Sequence, residues 1–338
     1  MMAAWVHRWL GVCGGVVLLG VTGGCRTLEF YTQAAAGQWE VLTKREPIER
    51  VIEETDDEVL RTRLQLTQRL LDFAGSELAM PAKGNYQSYA ALGREHLVWV
   101  VVAAPELSLQ PKQWWYPLVG RLNYRGYFCR EDAEREAQRL RDRGYEIFVG
   151  GVDAYSTLGW FRDPVLDTFV GRPELAYAEL IFHELAHVKF YLAGDTRFNE
   201  GLAQAVGREG VRRWLKATGR ASWVARYDAH LARVAKGSER IHAATERLRA
   251  IYERDLSDAA KRREKARVIE SLRDDLRGLS AEGGEFAGWV DGPINHARLV
   301  AFSTYEAEVP QFRALLESVN GDFQPFWLQV EKLAEQRK

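Results

Sequence analysis

Two histidines four residues apart, with a glutamate directly after the first, constrain this chain more than any other stretch: His183-Glu184-Leu185-Ala186-His187. On a helix, positions i and i+4 share nearly one face, a single turn apart. Two imidazoles at that spacing can hold one divalent ion, and the glutamate between them can then address a water as general base. A catalytic zinc takes three protein ligands and keeps one position open. Glu200, inside Phe198-Asn199-Glu200-Gly201-Leu202-Ala203, is the natural third ligand.

The flanking residues support a helix. Pro173 suits a first turn, Glu174 and Glu179 follow, and Leu175, Ala178, Ile181, Leu185 and Val188 recur at helical spacing. Gly194 is placed to end this helix of about five turns. A loop from Gly194 to Arg197 then returns the chain, and a second helix runs from Phe198 to Ala217. An antiparallel helix pair brings the Glu200 carboxylate toward the imidazoles. The competing interpretation is a buried helix whose histidines are satisfied by hydrogen bonds alone. Asp195 either orients a ligand histidine or caps a turn. Glu209 lies two and a half turns beyond Glu200, faces away from the metal stripe, and is spaced to pair with Arg212 or Arg213.

With these residues in place, the chain resembles the gluzincin metallopeptidases, the aminopeptidase-N family among them, whose third ligand is a Glu in a similar Asn-Glu-Gly context. It also resembles a family of bacterial lipoproteins described as predicted aminopeptidases. That resemblance is carried by Gly150-Gly151-Val152-Asp153-Ala154-Tyr155-Ser156-Thr157-Leu158-Gly159-Trp160-Phe161, the histidine motif, Gly194 to Glu200, Arg208-Glu209-Gly210-Val211 and Asn295-His296-Ala297-Arg298-Leu299. It implies a zincin-like core, one Zn²⁺ held by His183, His187 and Glu200, Glu184 as general base, and a peptide or protein substrate. Gluzincins commonly supply a tyrosine from a downstream helix to the oxyanion. Tyr305, on a helix-length run with Asn295, is the candidate, with His296 a weaker alternative; Tyr305 as a core or rim aromatic is the other option. The Gly-Xaa-Met-Glu-Asn exopeptidase sequence of aminopeptidase N is absent.

The first 25 residues do not belong to the fold. His7 and Arg8 precede an apolar run, Trp9 to Val21, and small residues lead to Cys25. This resembles a bacterial lipoprotein signal, cut before a Cys25 that becomes lipidated. An ordinary signal peptide or a short membrane anchor is the alternative. A lipidated Cys25 would hold the body at a membrane surface, and Arg26 after it favours the outer membrane, facing the periplasm. Cys129 is then the one thiol left besides Cys25, and it is expected to be a small, half-buried residue rather than a nucleophile.

Residues 26–338 are expected to form one zincin-like peptidase domain. Residues 27–80 read as amino-terminal helices broken at Pro47, with a cap region at Thr55-Asp56-Asp57-Glu58. His96 to Ala104 is strand-like, and His96 itself is expected to be structural. Trp114, Trp115 and Tyr116 form an aromatic cluster in a loop. Asn123 to Phe128 and Glu146 to Val149 suggest further strands around a charged helix, Glu131 to Arg143, ended by Gly144. Gly150 and Gly151 permit unusual backbone angles or close approach of a ligand. Ala154 to Phe161 is either an edge strand that adds a substrate backbone or a core strand with a turn. The order points to an α+β fold, mostly helical, with a small sheet packed on the histidine helix and the glutamate-bearing helix after it.

From Arg208 to Gly278 there are nineteen Lys or Arg against eleven Asp or Glu, an excess of eight. A solvated helical hairpin, an insertion over about 218–278, accounts for these charges, with contact to an anionic envelope surface as the alternative. Gly278 to Pro293 reads as a glycine-rich loop, and two helices separated by Asn320-Gly321-Asp322 close the chain. A formal net charge of −1 excludes nothing but offers no support for a nucleic-acid partner. The expectation is zinc-dependent peptide hydrolysis, as an aminopeptidase or an endopeptidase. A membrane-anchored scaffold without turnover is the reading from a different class, and an intact Glu184 argues against it.

Overall fold

The computed structural model describes residues 25–337, apart from 117–119, 155, 156, 158–160, 281–283, 285 and 307; for 25–28 and 303–306 it describes the backbone alone. Of the expected signal segment 1–25, residues 1–24 therefore lie outside the described residues. In chain order the elements are α1 (Cys25–Thr43), β1 (Glu46–Pro47), α2 (Ile48–Glu54), α3 (Glu58–Glu77), β2 (Ser88–Ala90), β3 (Val98–Pro105), β4 (Trp114–Tyr116), β5 (Gly120–Leu122), β6 (Tyr124–Tyr127), α4 (Arg130–Arg141) and β7 (Tyr145–Val152). They continue with β8 (Val165–Leu166), α5 (Asp167–Val170), α6 (Glu174–Lys189), α7 (Thr196–Ala217), α8 (Ser222–Glu253), α9 (Asp258–Ser280), α10 (Ala287–Asp291), α11 (His296–Glu306), α12 (Val309–Ser318) and α13 (Phe323–Glu335). The chain is α+β and mostly helical. No helix among the described residues is long and apolar enough to cross a membrane.

The amino-terminal helices start where their side chains satisfy free backbone donors. Asp57 caps α3 by accepting from the amides of Val59 and Leu60, a contact worth roughly 1 kcal/mol. The apolar face of α3 (Leu64, Leu70, Leu71, Phe73, Ala74) is buried in the main core. Phe73 meets Phe182 of α6 at 5.8 Å and Trp214 of α7 at 5.3 Å between ring centroids.

The principal sheet has the order β6-β3-β7, antiparallel throughout. Val101 stands opposite both Arg125 and Val149, and Ala103 opposite Ile147. Because side chains alternate along a strand, these residues share one face, which α4 covers with Ala133, Ala137 and Leu140. The opposite face carries Glu146 and Phe148 and receives α11: the His296 amide donates to Glu146 Oε2 at 2.8 Å, and the Arg298 guanidinium stands 5.8 Å from the Phe148 ring centre. Helix α11 in turn lies against α7. The sheet was expected on the histidine helix; its main helical neighbours are α4 and α11 instead. The aromatic cluster at Trp114–Tyr116 is also not a loop but a strand, paired with β5.

The charged stretch folds as expected into a hairpin, α8 against α9. Its apolar seam is Ile241, Leu248, Ile251, Val268, Leu272 and Leu276. A buried lysine fastens it to the sheet: Lys265 pairs with Glu146 and donates to the Glu106 carbonyl at 2.8 Å. Helix α9 runs on to Ser280, past the Gly278 expected to begin a loop, and α10 interrupts the glycine-rich segment.

Helices α6 and α7 approach closely because glycines face the contact. A Cβ on Gly207 would lie 2.9 Å from the Glu179 carbonyl and 3.5 Å from the His183 Cβ. One on Gly210 would enter the Phe182 ring at 2.5 Å. Gly207→Val gains helix propensity but must push the two backbones apart, an overpacking cost of about 1–3 kcal/mol. Thermal denaturation followed by circular dichroism is expected to show a lower Tm for Gly207→Val; an unchanged or higher Tm would contradict this account of the contact.

Candidate metal centre

Helix α6 begins after Pro173 and ends at Lys189, where Phe190 turns extended (φ −148°, ψ 136°). The helix thus stops five residues before Gly194, which was expected to end it; Gly194 (φ 87°) instead serves the turn into α7. Asp195 caps α7 by accepting from the Phe198 amide at 3.0 Å, and it pairs with Arg337 at 3.0 Å. Of its two expected roles, capping is the one seen.

The Asn-Glu-Gly triplet has a physical basis. Asn199, 1% exposed, accepts from the Leu192 amide and donates to the Leu192 carbonyl, both at 2.8 Å, closing the loop between the helices. Gly201 allows contact with Glu308, since a Cβ there would lie 2.8 Å from the Glu308 Cβ. Between them, Glu200 is left facing α6.

The result is a convergence of three ligand atoms. His183 Nε2 and His187 Nε2 are 3.2 Å apart. Glu200 Oε2 is 3.3 Å from the first and 3.7 Å from the second. Tetrahedral zinc with bonds of about 2.0–2.1 Å places its ligand atoms about 3.3–3.4 Å apart, so the triangle matches one face of such a site. Among the described residues, His183, His187 and Glu200 are the group of metal-ligating type brought together in this way. Glu184 is 6% exposed, and its Oε2 is buried with no hydrogen-bond partner. A buried carboxylate oxygen is costly to leave unmet. This one lies beside the three candidate ligand atoms with no hydrogen-bond partner to meet it.

Electrostatics agree with the geometry. Burial would raise Glu200, but the hydrogen bonds and positive charge of both imidazoles outweigh it and hold the carboxyl at about 2. His183 is disfavoured as a cation by burial, yet Glu200, Glu184 and Glu179 together raise it above its ordinary value. Glu184 is itself raised, chiefly by burial, with its histidine neighbours opposing. A raised carboxyl is a better proton acceptor once ionised.

Two phenols that the sequence did not single out belong here. Tyr124 at the start of β6 is raised to about 12, first by burial and then by the charge of Glu200. Tyr191, in the loop after α6, is raised by the same two causes. Both are partly exposed, at 38% and 37%, so a ligand can reach them. No spacing in the chain signals that residues 124 and 191 come under the charge of residue 200. Tyr86, 1% exposed with its hydroxyl unpartnered, lies close enough to Glu184 and Asp163 for both charges to raise it further.

Other expected residues find different places. The side chain of Tyr305 lies outside the described residues. His296 is fully buried, with Nδ1 3.0 Å from the Pro105 carbonyl and Nε2 2.8 Å from the Tyr252 hydroxyl, so both nitrogens are committed to packing α11 on the sheet. His96 is structural as expected: it contacts Asp153 Oδ1 at 2.5 Å, and Arg172 holds the other oxygen. Gly151 makes room for that ring, since a Cβ would lie 2.0 Å from it. The paired glycines thus serve a side chain of this chain, without unusual backbone angles. Ala154 and Thr157 are not in a strand; residues 155, 156 and 158–160 of the expected edge strand lie outside the described residues. Glu209 pairs with Arg213 at 3.1 Å and Arg212 at 3.5 Å. Cys129 is exposed rather than half-buried, because β6 ends at Tyr127 and the residue opens α4 at the surface.

Residues 29–338 match the model of a family described as "Putative aminopeptidase". The chain belongs to that family, whose description suggests a peptidase. No curated protein and no solved structure matches it.

Asp163, behind the site, supplies a pH test. It is 5% exposed, and burial raises it to about 6 despite hydrogen bonds from the Thr157 amide (2.9 Å) and hydroxyl (2.7 Å). Its folded value exceeds the ordinary 3.8. The stability it contributes is therefore complete below about pH 4 and is lost as pH rises through about 6. Asp163→Asn removes that loss, so the Tm of the variant minus that of the unmodified chain is expected to rise between pH 4.5 and pH 8. A difference independent of pH would contradict the assignment.

Proposed function

We propose that this chain is a zinc-dependent peptidase of the gluzincin type, hydrolysing peptide bonds as its family description suggests, on the membrane surface of a bacterial envelope. One observation carries the reading: three ligand atoms at zinc spacing beside a buried, unpartnered Glu184 oxygen. His183, His187 and Glu200 would hold the ion. When bound, zinc supplies a Lewis acid that polarises a carbonyl and makes water acidic enough to attack it. Glu184 takes the proton of the attacking water at its free oxygen and delivers it to the leaving amine. The phenols of Tyr124 and Tyr191, neutral at physiological pH and within reach of the Glu200 charge, can donate to the charge that grows on the acyl oxygen. Tyr305 keeps the same role in this proposal by its place on α11.

We take residues 26–338 as one zincin-like unit, with α1–α3 and the α8–α9 hairpin as additions to it. The apolar run Trp9 to Val21 and Cys25 support a lipid anchor, with the body facing the periplasm. A scaffold without turnover has no use for a buried base oxygen left unmet, and nothing else in the site favours that reading.

Purified full chain with one equivalent of zinc is expected to cleave peptides from a mixed library. Glu184→Gln should keep its zinc and lose turnover by about 10²–10⁴-fold, the usual contribution of a general base. Cleavage that survives Glu184→Gln would remove the proposed role, and zinc loss in the variant would make Glu184 a ligand instead.

A further inference from the structure

On the far face of the principal sheet, away from Tyr124 and the metal centre, lies a cavity of about 270 Å³ between α1, β6 and α4. It has room for far more than one water, whose share of liquid is about 30 Å³. Its wall is predominantly cationic. Asp132 pairs with Arg135, and Glu136 with Arg139 at 3.5 Å, so these charges cancel within α4. Lys112, Arg125 and Arg143 remain, against the single exposed carboxylate of Glu29. Among the described residues, none of these three cations has a carboxylate within ion-pair distance.

Arg125 lines the cavity. Its guanidinium carbon lies 3.9 Å over the Phe30 ring and 5.9 Å from that of Tyr127. Its Nε is buried without a hydrogen-bond partner. The Lys112 ammonium likewise stands over an aromatic face, 5.3 Å from the Trp114 ring. Aromatic faces attract cations but give their N–H groups no acceptor in the cation plane. Both groups are thus held against rings, and the Arg125 Nε is left without an acceptor. A planar guanidinium fork with nearby ammonium and guanidinium charges is the donor set that suits a phosphate.

We propose that this cavity is a binding site for a phosphate group carried on a small ester, separate from the metal centre. Phe30 and Gln33 on its wall lie in the second and third turns of α1, five and eight residues after Cys25. At 1.5 Å per residue that is about 8–12 Å along the helix. If Cys25 carries the anchor, the nearest phosphates are lipid headgroups. The preference for a lipid source rests on that anchor; the site itself does not.

The test titrates inorganic phosphate, then glycerol 3-phosphate, into the full chain in neutral dodecyl maltoside micelles, read by ³¹P line broadening. Saturable binding is expected, weakened about tenfold or more in Arg125→Gln. Arg125 also packs on Phe30, so a second variant joins Lys112→Gln with Arg143→Gln, and each variant's melting transition is recorded; the double variant decides if the first unfolds. Displacement of glycerol 3-phosphate by phosphatidylglycerol, but not phosphatidylcholine, in the micelles supports the site with a lipid source. Binding untouched by either lipid supports it with a soluble phosphate ester as ligand. No saturable binding, or binding equal in the unmodified chain and the folded variants, overturns it.

Discussion

Everything at the candidate metal centre depends on how near α6 and α7 come to one another. His183 and His187 are placed by helical periodicity alone, but Glu200 reaches them from a separate helix. Gly207 and Gly210 permit that approach, because a methyl group at either position would strike the Glu179 backbone or the Phe182 ring. Asn199 fixes the axial register, tying the start of α7 to Leu192 by two hydrogen bonds of roughly 1 kcal/mol each. Shape and polar satisfaction together set the distance at which an imidazole pair and a carboxylate can share one ion.

The rest of the molecule holds this pair through packing on both helices. Helix α3 buries Phe73 against both helices, and α12 places Phe312 against Phe198 at 4.9 Å. The sheet contributes from further off, through α11. The Lys265–Glu146 pair and the buried His296 join hairpin, sheet and α11 at one polar node. A buried charge is tolerable only when paired and hydrogen-bonded, and Lys265 meets both conditions. The sheet thus has two occupied faces: one supports the metal centre, and the other closes over the cavity beside α1.

What could be read from the chain was chemistry carried by residue type and helical period. The histidine motif, Glu200, the cap at Asp57, the strand near Val98 and the charged hairpin all declare themselves locally. What could not be read depends on distant partners. Gly150 and Gly151 look like a ligand's approach until His96 is seen against Gly151. The Trp114–Tyr116 segment became a strand because β5 pairs with it, and His296 is withdrawn from catalysis by Pro105 and Tyr252. Tyr124 and Tyr191 lie 76 and 9 residues from Glu200 in sequence yet feel its charge, with no motif to announce it. Tyr305 and Cys25 lie where the backbone alone is described, so neither side chain is placed at the site.

The central claim is that α6 and α7 together build one three-ligand site for a divalent ion. Equilibrium zinc titration of the full chain, with Glu200→Gln in parallel, measures it directly. One zinc per chain is predicted, with affinity at least about tenfold lower in a folded Glu200→Gln, since the variant keeps both imidazoles but loses the anionic ligand. Failure to bind zinc, or equal affinity in the two proteins, would contradict the site as described.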